Sequence, residues 1–233
     1  MRDGTRTLTD DDLWALTEHV DVSAVLRAAL AELRASGAAQ PLGEPPDGDP
    51  VLLIADPLTG GKAELPAAAV RAIRQAGCAA AAAVDLLPPA VITAGVIGAA
   101  PDVWWHARVL CQALPAITHI AVTAAGPPPA RLADHLDLAG VGLAVAADAR
   151  TAAFGANLVV AAGPAALAPE GITAGAVLVE AVPHAYPPSL RGPDDLLADA
   201  DLPHPFHLVP PRAGCHSPAL DAFLAAALLA SLP

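Results

Sequence analysis

"VIGAAPDVWWHARVL", residues 96–110, is the stretch on which the fold turns. An apolar run ends at Ile97, Gly98 allows a sharp turn, and a helical pattern opens near Val103. Strand, tight turn and helix form the joint at which dinucleotide-binding domains cradle a pyrophosphate. In that joint the first glycine permits the turn and the second lets the backbone approach the phosphates. The third position needs a small residue for helix–strand packing, and the helix N-terminus supplies amide donors. Here the three positions are Gly98, Ala100 and Val103. Ala100 places a methyl group where phosphate would lie, and Val103 crowds the third contact. Asp102 suits the positive end of a helix but repels a phosphate. The end of the next strand should carry an acid for the ribose hydroxyls; "IAVTAAGPPPARL" offers Thr123, Ala124 and Ala125, of which only Thr123 can hydrogen-bond. The cofactor-binding candidates are therefore Gly98, Ala99, Ala100, Asp102, Val103 and Thr123. The cofactor is expected to be NAD or NADP, or none.

Outward from this joint the chain alternates short apolar runs with helical patterns. Strands are predicted over 91–97, 117–123, 142–146, 158–162 and 176–182, and helices over 103–114, 129–138 and near 148–154. Runs that are apolar throughout, rather than at every second residue, predict a parallel sheet covered on both faces. Upstream, Thr9 and Asp12 have capping-box spacing, and a helix with one apolar face follows from Val22 to Ala35. "QPLGEPPDGDP" (40–50) reads as a loop. "VLLIADPLTG" (51–60) reads as a strand ending in a turn at Asp56-Pro57 and Gly60-Gly61. An Ala-rich helix is expected from about Pro66 to Val84, stopped by Pro88-Pro89. The last apolar stretch, 217–232, is expected to return as a helix onto the N-terminal lobe. The fold class is α/β. A Rossmann-like parallel sheet domain is expected over 89–214, with a small truncated α+β lobe built from 1–88 and 215–233.

Composition sets limits. Apolar residues make up 55% of the 233 residues, ample for a core, but aromatics are only 3%, so packing falls to Leu, Val, Ile and Ala. Lys62 is the only lysine, and the formal net charge is −12. That balance excludes nucleic acid, which requires a basic face, and an anionic membrane surface. The absence of an apolar leader and of a long apolar run predicts a cytoplasmic protein with no membrane association. Three widely spaced cysteines, Cys78, Cys111 and Cys215, imply no disulfide framework.

The order of the pieces resembles the ornithine cyclodeaminase/mu-crystallin family. "LTDDDLWALTEHVDVSAVLRAALAEL" is similar to its opening helical pair, and Asp56-Pro57-Leu58-Thr59-Gly60 to its "DP.TG" turn. "AIRQAGCAAAA" is similar to its "LRTAA" helix, with Arg74 at the arginine. Gly98, His106 and Leu110 match its glycine loop GxGxQAxxHxxAL, while Ala100, Asp102 and Val103 depart from it. "AFGANLVVAAG" and "SPALDAFLAAALL" resemble its later strand and final helix, the latter with Asp221 at the acid. The resemblance implies an NAD(P)-dependent fold, a carboxylate clamp at Arg74 and dimerisation through the N-terminal lobe. It also implies a substrate lysine and a catalytic aspartate that this chain lacks: Lys62 lies beyond the turn, and Ala185 takes the place of the acid.

His184 and Tyr186, after the last predicted strand, are the candidate acid–base pair, since open α/β sheets bind ligands beyond their strand ends. Glu180, inside an apolar strand, either faces the cleft between lobes, pairs with an arginine, or reaches solvent. Trp104 and Trp105 point about 100° apart on a helix, so one is expected to enter the core or block the cofactor groove and the other to meet a partner. His204, His207, Cys215 and His216 fit no common zinc spacing; the segment reads as a Pro-rich surface loop, and no metal is expected. Two functional readings follow. In the first the chain is a non-catalytic binding or assembly module, a pseudoenzyme that forms a homodimer or a heterodimer with a longer homologue. In the second it is a minimised NAD(P)-dependent oxidoreductase acting on an amino acid or its imine, with a small amino-acid-like ligand held at Arg74.

Overall fold

The computed structural model describes residues 5–35, 51–55, 62–87, 90–183, 185–186, 207–209 and 218–232. Helix α1 (Asp10–Leu16) begins in the predicted capping box. Thr9 Oγ1 accepts the Asp12 N–H, and the Asp12 carboxylate accepts the Thr9 N–H at 2.8 Å. Helix α2 (Val22–Ala35) follows and buries Val22, Leu26, Ala29 and Leu30. Three strands form the small sheet of this lobe, β1 (Arg6–Thr7), β2 (Val51–Ala55) and β3 (Lys62–Pro66), in the order β1-β3-β2. Strands β1 and β3 correct the sequence reading, which passed from the turn straight to the long helix. Lys62–Pro66 alternates exposed and buried residues, and five residues give too short a period-2 pattern to stand out beside twenty helical ones.

The long helix α3 (Ala67–Leu86) is buried almost throughout from Ala69 to Ala83. Its alanines let neighbours approach closely. At Gly77 an added Cβ would lie 2.5 Å from Leu26 Cδ1 of α2. Then come β4 (Ile92–Ile97), α4 (Asp102–Ala113), β5 (Ile117–Thr123), α5 (Ala130–Leu138), β6 (Gly142–Ala146), α6 (Ala149–Ala153), β7 (Leu158–Ala161), a 3-10 turn at Pro169–Gly171, β8 (Val177–Glu180), β9 (His207–Val209) and α7 (Pro218–Ala230). The larger sheet has six strands, all parallel, in the order β6-β5-β4-β7-β8-β9. The chain thus runs outward from β4 to one edge, returns, and runs from β7 to the other edge. This is the doubly wound Rossmann-like arrangement, with its topological switch point between β4 and β7.

Strand β9 was not foreseen. The segment around His207 reads as a Pro-rich surface loop, yet His207–Val209 pairs in parallel with Val177–Val179. The remaining residues of that His/Cys group, His204, Cys215 and His216, lie outside the described residues, as do the "DPLTG" turn and Pro88-Pro89. One apolar core joins the small sheet, α1, α2, α3, α4 and α7 to one face of the large sheet. A second, smaller core under α6 covers the other face. Among the described residues, no helix is long and apolar enough to cross a membrane.

Candidate cofactor crevice

Doubly wound sheets bind ligands outside the carboxyl ends of their strands, at the switch point. Here that place is floored by Gly98, Ala162 and Gly163. Strands β4 and β7 stay paired to their ends, Ala162 N–H donating to Ile97 O at 2.8 Å. A Cβ on Gly98 would lie 3.2 Å from the Ala162 carbonyl carbon and Cβ. A side chain at position 98 would therefore press on the chain just after β7, which would have to give by a few tenths of an ångström, before any ligand is considered.

Thr123, at the end of β5, closes on the same residue. Its hydroxyl accepts the Gly98 N–H and donates to Gly98 O, both at 2.9 Å. The side chain that the sequence offers to a ribose is thus engaged in holding the loop, and the Gly98 amide is taken. Beyond it the backbone enters α4. Val103 N–H donates to Ala99 O, and Trp104 N–H to Pro101 O. The N–H groups of Ala99, Ala100 and Asp102 have no partner among the described residues. Unpartnered amides at a helix N-terminus are the kind of donors that bind anions. Ala99 and Ala100 are exposed and Asp102 is half-buried, whereas Val103 is fully buried in the core.

The charges here are mixed. Burial raises the Asp102 carboxyl above the ordinary carboxylate range, and the Arg71 guanidinium on α3 opposes that rise. One turn along α3, Arg74 is 2% exposed. Its Nε donates to Asp221 Oδ1 of α7 at 2.7 Å, and its Nη1 has no partner. Two residues that the sequence picked out separately, Arg74 and Asp221, are thus brought together as a buried ion pair.

Tyr186 sits apart from this cluster. Its hydroxyl donates to Val159 O at 3.0 Å, its N–H donates to Glu180 Oε1, and its pKa is raised well above the ordinary phenol value by burial and by Glu180. Glu180 is itself buried at the end of β8 and holds the segment that carries Tyr186. His184, the other half of the proposed acid–base pair, lies outside the described residues.

Helix α4 overturns the expectation for its tryptophans. Trp104 and Trp105 are 6% and 3% exposed. The expectation assumed that α4 has one outer face, but it packs against β4, β5, α2, α3 and α5, and every residue from Val103 to Cys111 is buried. Trp105 meets Trp14 of α1 with ring centroids 4.9 Å apart. The Arg131 and Arg108 guanidinium carbons lie 4.9 and 5.7 Å from the Trp14 ring centroid. Arg108 also contacts the His135 ring, and Arg131 pairs with Asp11 at 2.6 Å. Sequence reasoning missed this cluster and Arg71. Arg71 was findable: it precedes Arg74 by three residues, a spacing that places both on neighbouring helix positions.

Doubly wound order, switch-point loop and flanking lobe are now in place for comparison. No protein-family model and no curated protein matches the chain. Solved structures do. The fold superimposes on CmnK with a TM-score of 0.61 at 16% identity, over 97% of this chain and 94% of that one. It also superimposes on the iminosuccinate reductase of Paracoccus denitrificans in complex with NAD+, with a TM-score of 0.50 at 15% identity, over 78% and 69% of the two chains. What these likenesses share with the chain is a Rossmann-like α/β fold. A third match is a probable ornithine cyclodeaminase from Bordetella pertussis Tohama I, 27% identical over 56% of this chain, with a TM-score of 0.42. The chain spans 42% of that relative's length. In this fold Ala100, Asp102 and Val103 fall on the turn at the switch point and at the start of α4.

Proposed function

We propose that the chain binds a nicotinamide dinucleotide at the switch-point crevice and acts as an oxidoreductase on a small amino acid or its imine. The observation that carries this reading is the set of unpartnered amides at Ala99, Ala100 and Asp102, held at the switch point of a doubly wound sheet. Their amides suit the pyrophosphate of NAD or NADP, while the Ala100 methyl group and the Asp102 carboxylate work against it. The ribose end has no acidic partner at Thr123–Ala125, and the Thr123 hydroxyl already bridges Gly98.

When bound, the dinucleotide supplies or accepts a hydride, and the protein's part is alignment. Arg74 is the residue suited to a substrate carboxylate. Asp221 fixes the guanidinium through Nε and leaves Nη1 free to donate, and charge-assisted bonds of this kind are strong and directional. Tyr186 serves the fold rather than a proton transfer, because its hydroxyl is buried against Val159 O. An acid–base role therefore falls to His184.

The second reading is a non-catalytic module that pairs with itself or with a longer homologue, in which the engaged Thr123 and Tyr186 side chains need not serve a ligand. Titration with NADH and NADPH, followed by calorimetry and tryptophan fluorescence, decides between them. Micromolar binding, together with turnover on a panel of cyclic and linear α-imino acids, supports the enzyme. No binding at millimolar dinucleotide overturns it.

A further inference from the structure

Arg108 of α4 is 1% exposed, and among the described residues no carboxylate pairs with it. Its Nε has no partner, and its Nη1 reaches the ring of His135 on α5, 2.9 Å from Nδ1 and in contact with Nε2. An arginine side chain stays charged and only donates, so the imidazole must accept through a ring nitrogen that carries no proton. The contact therefore exists only while His135 is neutral. His135 is half-buried and within reach of solvent protons, whereas His106 on the same helix as Arg108 is fully enclosed.

A proton on His135 reverses both parts of the contact. The accepting lone pair is lost, and an imidazolium then faces a buried guanidinium. The surrounding charges do not cancel this. Glu18, exposed after α1, attracts both groups but forms no ion pair with either among the described residues. Arg131, one turn before His135 on α5, adds a second cation, and Asp11 of α1 engages it. Asp134 and Asp137 on α5 are exposed, and β6, which packs on α5, carries no ionisable residue. Cys111 near Arg108 stays uncharged, because burial raises its thiol above the ordinary range. Burial first and Arg108 second lower the His135 pKa from 6.5, with Glu18 opposing. The Arg108 guanidinium also lies 5.7 Å from the Trp14 ring centroid, and Trp14 packs on Trp105, so Arg108 is part of the seat on which α1 rests.

We infer that the Arg108–His135 contact is an acid-sensitive latch: a proton on His135 drives the guanidinium off the ring and loosens α1 from α4 and α5. The inference does not depend on the cofactor reading. Its sign follows from the lowered value: the latch is whole above pH 6.5 and is lost as pH falls below it.

The test follows the full chain from about pH 7 to about pH 4.5 by tryptophan fluorescence, near- and far-ultraviolet circular dichroism, and NMR titration of the His135 ring. Trp14 and Trp105, two of the three tryptophans, report on the seat of α1. As His135 takes its proton, below pH 6.5, the fluorescence should shift to the red and the near-ultraviolet signal should fall, while the far-ultraviolet signal holds. His135→Gln keeps a neutral acceptor at every pH and should abolish the step, and His106→Leu should leave it in place. Arg108→Gln, whose amide oxygen can accept from a protonated ring, should shrink the step and raise the pH at which His135 titrates. A step that survives unchanged in His135→Gln, or that vanishes in His106→Leu, overturns the inference. So does a parent His135 ring that titrates at or above pH 6.5, or a flat tryptophan signal while the ring titrates. Loss of the far-ultraviolet signal in the same step makes the event global unfolding and overturns it too. Should His135→Gln fail to fold, the parent ring titration and Arg108→Gln decide: a His135 that titrates at the same pH with and without the Arg108 charge overturns the latch.

Discussion

Arg74 and Asp221 come from helices 147 residues apart in sequence and meet in a place that is almost dry. Removing one partner leaves the other charged and buried, which costs far more than the pair itself contributes. Arg74→Met should therefore destabilise the chain by about 3 kcal/mol in urea denaturation, towards the lower end because the Asp221 side chain retains 13% exposure. Pairing it with Asp221→Leu should recover most of the loss; full additivity of the two single effects would show that the ions do not interact.

His106 makes a second prediction at this scale. It is wholly buried, its Nδ1 bonds the Asp102 carbonyl, its Nε2 has no partner, and burial lowers its pKa from 6.5 to about 4. Between those values the unfolded chain holds a proton there that the folded chain does not. Stability therefore falls as pH falls from neutrality through that window. The loss attributable to His106 is about 3 kcal/mol once pH is below both values. His106→Leu should flatten the fall in unfolding free energy between pH 7 and pH 5, measured by urea titration. An unchanged slope would assign the proton uptake to other groups, of which His135, also lowered by burial and by Arg108, is one.

Among the elements, two glycines separate close packing that can yield from packing that cannot. An added Cβ at Gly95 on β4 would lie 2.4 Å from the Ala152 carbonyl oxygen of α6. Backbone cannot rotate away, so Gly95→Ala should cost about 2 kcal/mol as an overpacked contact. At Gly77 the nearest atoms are Leu26 Cδ1 and Val22 Cγ1, the ends of side chains. Alanine is also favoured over glycine in a helix by about 1 kcal/mol, so Gly77→Ala should cost clearly less. Thermal melts of the two variants check the order, and a larger loss at Gly77 would contradict it. The same scale shows where sequence patterns are sufficient. Strands β7 and β8, buried at every residue, lie at 158–161 and 177–180, inside their predicted apolar runs, because a strand covered on both faces must be apolar throughout. Strands β3 and β9 were hidden by brevity and by polar or proline neighbours. The burial of Trp104 and Trp105 was hidden because helical periodicity reveals a helix's faces and not how many of them find a partner.

Across the whole molecule, the two sheets are joined by a cluster that no single segment announces. Trp14 on α1 packs against Trp105 with the ring planes tilted by 43° and is flanked by Arg108 and Arg131, with Arg131 reaching back to Asp11. Gln112 adds two bonds, donating to Thr17 O and Val20 O at the end of the α1 region. The N-terminal helical segment is in this way packed and hydrogen-bonded against α4 and α5. Trp14→Leu should destabilise the chain by about 3 kcal/mol and remove much of the near-ultraviolet circular dichroism of the tryptophan pair. Loss of that signal without loss of stability would show that the tryptophan contact does not hold the N-terminal helices in place.

The alternation of apolar runs, the single turn at Gly98 and the cap at Thr9 are local facts, and residues within a few positions of each other fixed them. The sequence by itself therefore determined the kind of sheet, its helices and the joint at its centre. Only the tertiary structure decided that Gly98 answers to Ala162, that Thr123 closes on Gly98 and that Arg74 meets Asp221. Each of these depends on strand order and helix packing that bring distant residues together, and the energy of such a contact is recorded in the space between elements rather than in the spacing along the chain.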